Sequence, residues 1–366
     1  MFEVSIEPRW TIRRTDGQAL SERTIALLLA VAEHGSLLKA CAAIGVSYRH
    51  AWSLIREAEA LLGLPLLLME RGKGSRLSPL AEKLAWADRR IAARLSPTLD
   101  SLASELEAEL ERVGQRSTEL LRIRASHGFA IEAMHHALNR LGVPSALHYC
   151  SSGDAVAALA QGNCDVAGFH IPTGDLEAAA LELYRPWFRP GQRLITLARR
   201  RVGLMVAAGD PHKIYDVADL ARPELRFINR QPGSGTRFQL EQLLLRAGIR
   251  PDQVHGWEQC ELTHAAVAAY VASGMADVGF GVETPARRFG LDFLPLHSER
   301  YFLLCDQASL NSGPLQVLLQ LLAGPAFAAA IDHLPGYQAD QPGTILTLEQ
   351  AFPQLAENRA ARARRS

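Results

Sequence analysis

Two stretches of this 366-residue chain echo one another: "VAALAQGNCDVAGF" (Val156–Phe169) and "VAAYVASGMADVGF" (Val267–Phe280). Each reads as the end of a helix, a glycine cap, then Asp-Val entering a strand. A repeated helix-to-strand passage implies two lobes built on one plan. The surrounding sequence agrees. From Thr118 onward short apolar strands alternate with amphipathic helices, the pattern of an α/β sheet. At roughly 100–200 residues per domain, a chain of this length holds two or three domains.

Within this region a single device recurs: a strand, a small hydroxylic turn and a helix. Leu121–Ala125 leads to Ser126, His127 and Gly128. "SALHYC" leads to Ser151, Ser152 and Gly153. Arg226–Asn229 leads through Arg230 to "GSGTR", which is Gly233, Ser234, Gly235, Thr236 and Arg237. Thr263 and His264 open a fourth helix. The first amides of a helix are unsatisfied donors with partial positive charge, and glycine lets a ligand approach them. Ser and Thr are also ordinary N-caps, so for Ser126, Ser151 or Thr263 alone capping stands level with ligand contact. "GSGTR" says more, because two glycines exceed what a cap requires. It is not a phosphate P-loop, since no Gly-Lys-Ser/Thr follows. His127 and His264 read equally as neutral donors or surface residues, and His135 and His136 as surface positions within a helix. Arg230 and Arg237 flank the Gly-Ser loop and suit a carboxylate or phosphate; Arg237 also reads as pointing outward from its helix.

The N-terminal region is different. Formal net charge over the whole chain is zero, but Arg9–Arg94 holds 14 Lys and Arg against 8 Asp and Glu. Local basic excess of this kind suits a nucleic-acid surface. In the first helix Ile25, Leu28, Leu29 and Ala32 fall on one face. Ala40, Ala43 and Ile44 are expected to form the buried side of the second, with Gly45 as the turn and Ser47 as the next N-cap. The third helix buries Ala51, Leu54, Ile55, Ala58, Leu61 and Leu62. That leaves Tyr48, Arg49, His50, Ser53 and Arg56 on its polar face, where guanidinium groups reach guanine edges or phosphates. A strand at Leu66–Met69 and the glycine-rich run Arg71 to Arg76 then read as a hairpin wing with Arg71, Lys73 and Arg76 at its tip. Beyond it, Leu95, Leu99, Leu102, Leu106, Leu110 and Val113 recur in steps of three and four, a helical seam suited to a dimer linker. The terminal "ENRAARARRS" reads as a frayed basic tail.

"GSLLKACAAIGVSYRHAW" followed by "ERGKGSRLSPLAEKL" resembles the winged-helix DNA-binding domain of the ModE-type molybdate-responsive regulators, relatives of the LysR-type domain, with the Ser47–Trp52 string favouring the ModE type. "NRQPGSGTRFQLEQLL", "THAAVAAYVASGMADVGFGVE" and "LDFLPLHSERYFLL" resemble the periplasmic-binding-protein-like domain of the molybdate-binding family. Together these resemblances imply three segments. An α+β winged helix-turn-helix domain spans residues 1–94, and a linker/dimerisation helix spans 95–117. A two-lobed α/β periplasmic-binding-protein-like domain spans 118–366, with lobe 1 at about 118–195 plus 300–366 and lobe 2 at about 203–296. Crossovers are expected near Arg189–Met205 and Leu294–Leu304, with Tyr301 either touching ligand or packing the hinge.

The implied function is a ligand-responsive regulator binding double-stranded operator DNA as a homodimer, or as a higher oligomer. Its effector is a small anion in the interlobe cleft, with molybdate or tungstate favoured. A small organic acid or a molybdenum-cofactor-related ligand remains open. The chain departs from ModE regulators proper, whose small β-barrel molybdate domains are not legible here. No cofactor, metal site or enzyme activity is expected. Ser126 beside His127 lacks a third orienting group for nucleophilic catalysis. The sequence offers no signal peptide at its start and no membrane span, so a cytoplasmic location is expected rather than that of a transport solute-binding protein. The five cysteines, without C-x-x-C pairing, read as reduced core thiols.

Overall fold

The computed structural model describes residues 3–70, 74–114 and 119–355. Two compact units are present, Glu7–Leu95 and Met1–Ile6 with Ser96–Ser366.

In the first unit, α1 (Glu22–His34), α2 (Leu37–Ile44) and α3 (Tyr48–Leu62) form the helical core. Strands β1 (Leu67–Glu70) and β2 (Gly74–Leu77) pair antiparallel as the wing. Local signals set these boundaries. Ser36 and Ser47 cap α2 and α3 by accepting from the amides of Lys39 and His50. Gly45 takes the left-handed conformation (φ 66°) that the tight turn between the helices needs. The buried faces differ from expectation at three places, and in α3 Leu61 and Leu62 are only half-buried. In α1 Leu27, Ala30 and Val31 join Ile25 and Leu28 inside, while Ala32 is exposed. In α2 the buried stripe is Leu37, Ala40 and Cys41, and Ala43 and Ile44 lie at the surface. A two-turn helix has room for one stripe, and the one that seats the large Leu37 side chain wins over the one that ends beside the turn.

Helix α4 runs from Pro79 to Gly114. The linker helix is therefore not a separate element but the continuation of the helix that follows the wing.

The second unit begins with β3 (Leu121–Ala125), α5 (Phe129–Arg140), β4 (Ser145–Tyr149), α6 (Ser152–Ala160), β5 (Val166–Pro172) and α7 (Glu177–Tyr184), which make lobe 1. The long strand β6 (Gln192–Val206) crosses to lobe 2, built from β7 (Phe227–Arg230), α8 (Gly235–Arg246), β8 (Cys260–Glu261), α9 (His264–Ala272), β9 (Val278–Val282) and α10 (Glu283–Arg288). Strand β10 (Asp292–Asp306) returns. Then α11 (Gly313–Ala323), α12 (Pro325–Asp332), β11 (Tyr337–Gln338), β12 (Ile345–Thr347) and α13 (Leu348–Ala351) follow, with β11 and β12 pairing onto β6. Sheet order is β4-β3-β5-β10-β6-β9-β7-β8. The expected crossovers are thus β6 and β10, an antiparallel pair at the centre of one sheet that runs through both lobes.

The internal echo has a structural counterpart. Asp165 accepts from the Arg122 backbone amide at 2.8 Å and from its guanidinium at 2.7 Å. Asp277 does the same for Arg226, at 2.8 and 2.6 Å. In each lobe the aspartate before a central strand thereby pins the start of the neighbouring parallel strand.

Cys41, Cys164 and Cys305 are buried, and Cys150 and Cys260 are half-buried, all as free thiols. The crossover pair is tightly packed at Gly203, where a Cβ would lie 1.9 Å from the carbonyl oxygen of Leu294. Gly203→Ala is expected to destabilise the second unit by about 3 kcal/mol through this overpacking. Urea unfolding of the variant against the parent checks it, and an unchanged midpoint would contradict the close approach.

Candidate functional site

On α3, Ser47, Tyr48, Arg49, His50, Ser53 and Arg56 are all exposed, as the periodicity requires. Ser53 donates to Glu57 at 2.8 Å, and Tyr48 packs edge-on against Trp52. Arg76 lies on the exposed side of β2. Arg71, Lys73 and the basic C-terminal tail lie outside the described residues.

The second unit gathers polar residues where the lobes meet. The centre is a buried ion pair between the crossover strands: Arg200 Nε donates to Glu299 Oε1 at 2.5 Å, and the two side chains are 3% and 1% exposed. Arg200 Nη1 also donates to Tyr337 Oη at 3.1 Å, and Gln239 of α8 donates to Glu299 Oε2 at 2.6 Å. Gln239 in turn contacts His297 through its carbonyl oxygen. Burial, the largest single effect, opposes the charge on Glu299, but Arg200, His170 and the Gln239 hydrogen bond together outweigh it and hold the carboxyl down at about 2.

Around this pair stand three histidines. His127, in the turn after β3, is hemmed in by protein although partly accessible to solvent; burial, then Arg230, Arg200 and Arg288, push its pKa down to about 3. His170 on β5 and His264 at the start of α9 are buried and held well below the ordinary imidazole value, chiefly by burial and then by the neighbouring arginines. All three are neutral donors. Ser152 donates to Ser126 Oγ at 3.1 Å, and Ser126 lies 2.8 Å from His170 Nδ1. Ser126 and His170 Nδ1 thus share one hydrogen bond, and His170 Nε2 is buried with no hydrogen-bond partner among the described residues. His264 Nδ1 is likewise unpartnered and packs where a Cβ on Gly281 would approach it at 2.8 Å.

Arg230 ends β7. Its Nη2 donates to the Leu262 carbonyl at 2.8 Å, its Nε is buried without a partner, and no carboxylate pairs with it among the described residues. Burial and then Arg200 lower its pKa to about 10, the direction expected for a cation short of countercharge.

The structure thus brings together Ser126, His127, Ser152, Arg230 and His264 from the expected set. It gives other members different work. Ser151 accepts from the Asp154 amide and donates to its carboxylate, a self-contained cap. Ser234 and Thr263 cap α8 and α9. Gly233 is left-handed (φ 79°), and a Cβ on Gly233 or Gly235 would meet nothing within 4 Å. Thr236 is buried in the first turn of α8. Arg237 does not point outward. It is buried, stacked 4.8 Å above Trp257, with Nε 3.3 Å from Glu241 and Nη2 3.8 Å from the exposed Glu258, while its Nη1 is buried without a partner among the described residues. His135 is buried rather than on the surface, 3.4 Å from Ser104. Tyr301 is buried, donates to the Ser126 carbonyl at 2.9 Å and packs edge-on to His170 at 4.1 Å, which braces the turn from behind.

Sequence reasoning missed His170, Arg200, Gln239 and Glu299. The one available signal was strand alternation: of three consecutive arginines, Arg199 and Arg201 face out and Arg200 faces in.

A model of the PBP superfamily domain matches residues 131–323, more than half of the chain. The chain belongs to the PBP superfamily. Its PBP-superfamily domain follows a helix-turn-helix unit whose residues 23–82 match the model of the bacterial regulatory helix-turn-helix protein, lysR family. Neither description names an enzyme. The molecule is thus an N-terminal LysR-type helix-turn-helix domain joined to a two-lobed α/β PBP-like domain.

Among relatives, the uncharacterized protein YvgK of Bacillus subtilis (strain 168) is 32% identical over 203 residues, a match covering 54% of this chain and 64% of that protein, just under two thirds of its length. The molybdenum-pterin-binding protein MopB of Rhodobacter capsulatus is 24% identical over 207 residues, covering 56% and 68%. Among solved structures, an H2O2-bound cysteine mutant of Corynebacterium glutamicum OxyR is 16% identical with a TM-score of 0.41, covering 85% of this chain and 95% of that one.

The buried histidines make stability pH-dependent with a definite sign. His127, His135 (lowered to about 4 by burial first), His170 and His264 have folded pKa values below the ordinary 6.5, so the unfolded chain binds protons first as pH falls. Stability is expected to be full above about pH 7 and to fall steeply from about pH 6.5 toward 4. Urea midpoints of the second unit's transition across this range check it; a flat profile would contradict the neutral, buried imidazoles.

Proposed function

We propose that this protein is a ligand-responsive transcriptional regulator of the LysR type, in which a small anion held between the lobes alters binding of double-stranded operator DNA. The carrying observation is Arg230. A partly buried guanidinium with no carboxylate partner among the described residues favours an anion that supplies the charge, and the buried, unpartnered His170 Nε2 nearby offers a polar contact to the same ligand. Ser126, His127, Ser152, Arg230 and His264, with the open backbone at Gly233 and Gly235, form the binding set. The lobes close on the ligand about β6 and β10, and linkage then requires DNA to change ligand affinity by the same factor.

Molybdate or tungstate is the favoured effector. The reading rests on the resemblance of the lobes to the molybdate-binding family, and MopB, which supports a molybdenum-related ligand and the ModE-type assignment, is a distant relative. Arg230 and the imidazole donors make the cleft more cationic than a cage of hydroxyls and amides alone. The regulator acts as a homodimer in the cytoplasm. The Leu95, Leu102, Leu106 and Leu110 stripe of α4 remains exposed and supplies a seam for a second copy.

Thermal unfolding against molybdate, tungstate, sulfate, phosphate and small organic acids tests the site. Selective stabilisation by molybdate or tungstate, about 2.7 kcal/mol at a hundredfold excess over Kd, is expected. A response to an organic acid alone would overturn the oxyanion assignment. Arg230→Met is expected to abolish the ligand response while leaving the ligand-free protein folded, because the guanidinium is only partly buried and its one hydrogen bond among the described residues is to a carbonyl. A retained response would remove Arg230 from the site. On the other unit, Arg49→Ala and Arg56→Ala are each expected to weaken DNA binding by about 1–3 kcal/mol without moving the anion response. Gel-shift titration and the same thermal assay separate these effects, and loss of both activities together would point to unfolding instead.

A further inference from the structure

Among the described residues strand β4 is an edge strand, paired on one side only, with β3. Its outward amides need partners. Helix α4 supplies them through serine side chains. Leu147 donates its amide to Ser104 Oγ at 2.8 Å, and Tyr149 donates to Ser101 Oγ at 2.9 Å. Both serines are buried, at 2% and 5% exposure. Ser101 passes its own proton to the Pro97 carbonyl at 2.8 Å, and Ser104 sits against His135. Two hydroxyls on successive turns of α4 thus occupy the places that a neighbouring strand would fill.

Tyr149 connects this seam to the cleft. Its backbone lies in register with Ala125, the residue before Ser126 and His127. Its ring packs edge-on against His127 at 4.9 Å. On its other side it lines the groove between α4 and α5 with Asp100, Ser104, Glu132 and His135. One residue therefore touches a cleft imidazole with its side chain and the linker helix with its backbone.

Resting on the regulator reading above, we propose that Ser101, Ser104 and Tyr149 form the link through which cleft occupancy sets the position of α4. A ligand that draws in His127 moves the Tyr149 ring. The ring is fixed to an amide held by Ser101, and Ser101 lies on the same continuous helix as the residues that follow the wing. The serines act as positioning residues and touch neither ligand nor DNA. Their hydroxyls matter because a hydrogen bond fixes register along the helix, which apolar contact does not.

The test needs no knowledge of the effector, because coupling is reciprocal. The full-length protein is mixed with a DNA duplex that it selects from a random library, and amide exchange is followed by mass spectrometry. DNA binding is expected to change exchange by about fivefold or more, the lower range of allosteric coupling, both in β4 and in the segment from His127 to Ile131. In Ser101→Ala/Ser104→Ala the response of the His127 segment should vanish while DNA is still bound. Tyr149→Ala tests the other end of the link and stands if the serine variant does not fold: β4 should still respond and the His127 segment should not. A His127 segment that responds equally in a folded variant, or never responds in parent protein bound to DNA, overturns the link. Parent protein that selects no duplex overturns the regulator reading itself, and the link with it.

Discussion

The Arg200–Glu299 pair is the interaction on which the second unit turns. The two residues are register partners on antiparallel strands, so the pair is also a rung of the ladder that joins the lobes. Burying either charge alone would cost several kcal/mol. Together they are held by Tyr337 from the C-terminal segment and Gln239 from α8, so four separate stretches of chain must assemble before the charges are satisfied. The pair also cancels its own charge, whereas Arg230 has no carboxylate partner among the described residues.

Much of the fold was legible because it is written locally. Capping serines, left-handed glycines and apolar steps of three and four fix elements within a few residues of themselves, and the order of strands and helices follows. The echo of Val156–Phe169 in Val267–Phe280 was readable for the same reason, and the matching Arg122–Asp165 and Arg226–Asp277 pairs give it a physical basis. Errors arose where the answer depends on what an element packs against. Ala43 and Ile44 had the right spacing for a buried face, but α1 and α3 select the stripe containing Leu37.

The site was less legible. Turn residues such as Ser126, His127 and His264 announce themselves by sitting between a strand and a helix. Arg200, Glu299 and His170 sit within strands, and their inward direction is set by long-range register between segments far apart in sequence. Arg237 shows the converse. It lies beside the most suggestive loop in the chain, yet Trp257 and two glutamates of its own lobe hold most of its guanidinium. Proximity to a glycine-rich turn identifies a neighbourhood; the partners of each group decide which of them are available to a ligand.

The unpaired state of Arg230 reaches beyond recognition. In any salt solution a guanidinium of this kind keeps company with whatever mobile anion enters the cleft, chloride or a buffer ion included. On the proposed reading, effector uptake would be an exchange of one anion for another rather than the filling of an empty space. The apparent affinity of such a sensor would be a statement about its ionic surroundings, and a shift in the anion balance around it would reset the threshold of the proposed switch without changing the protein.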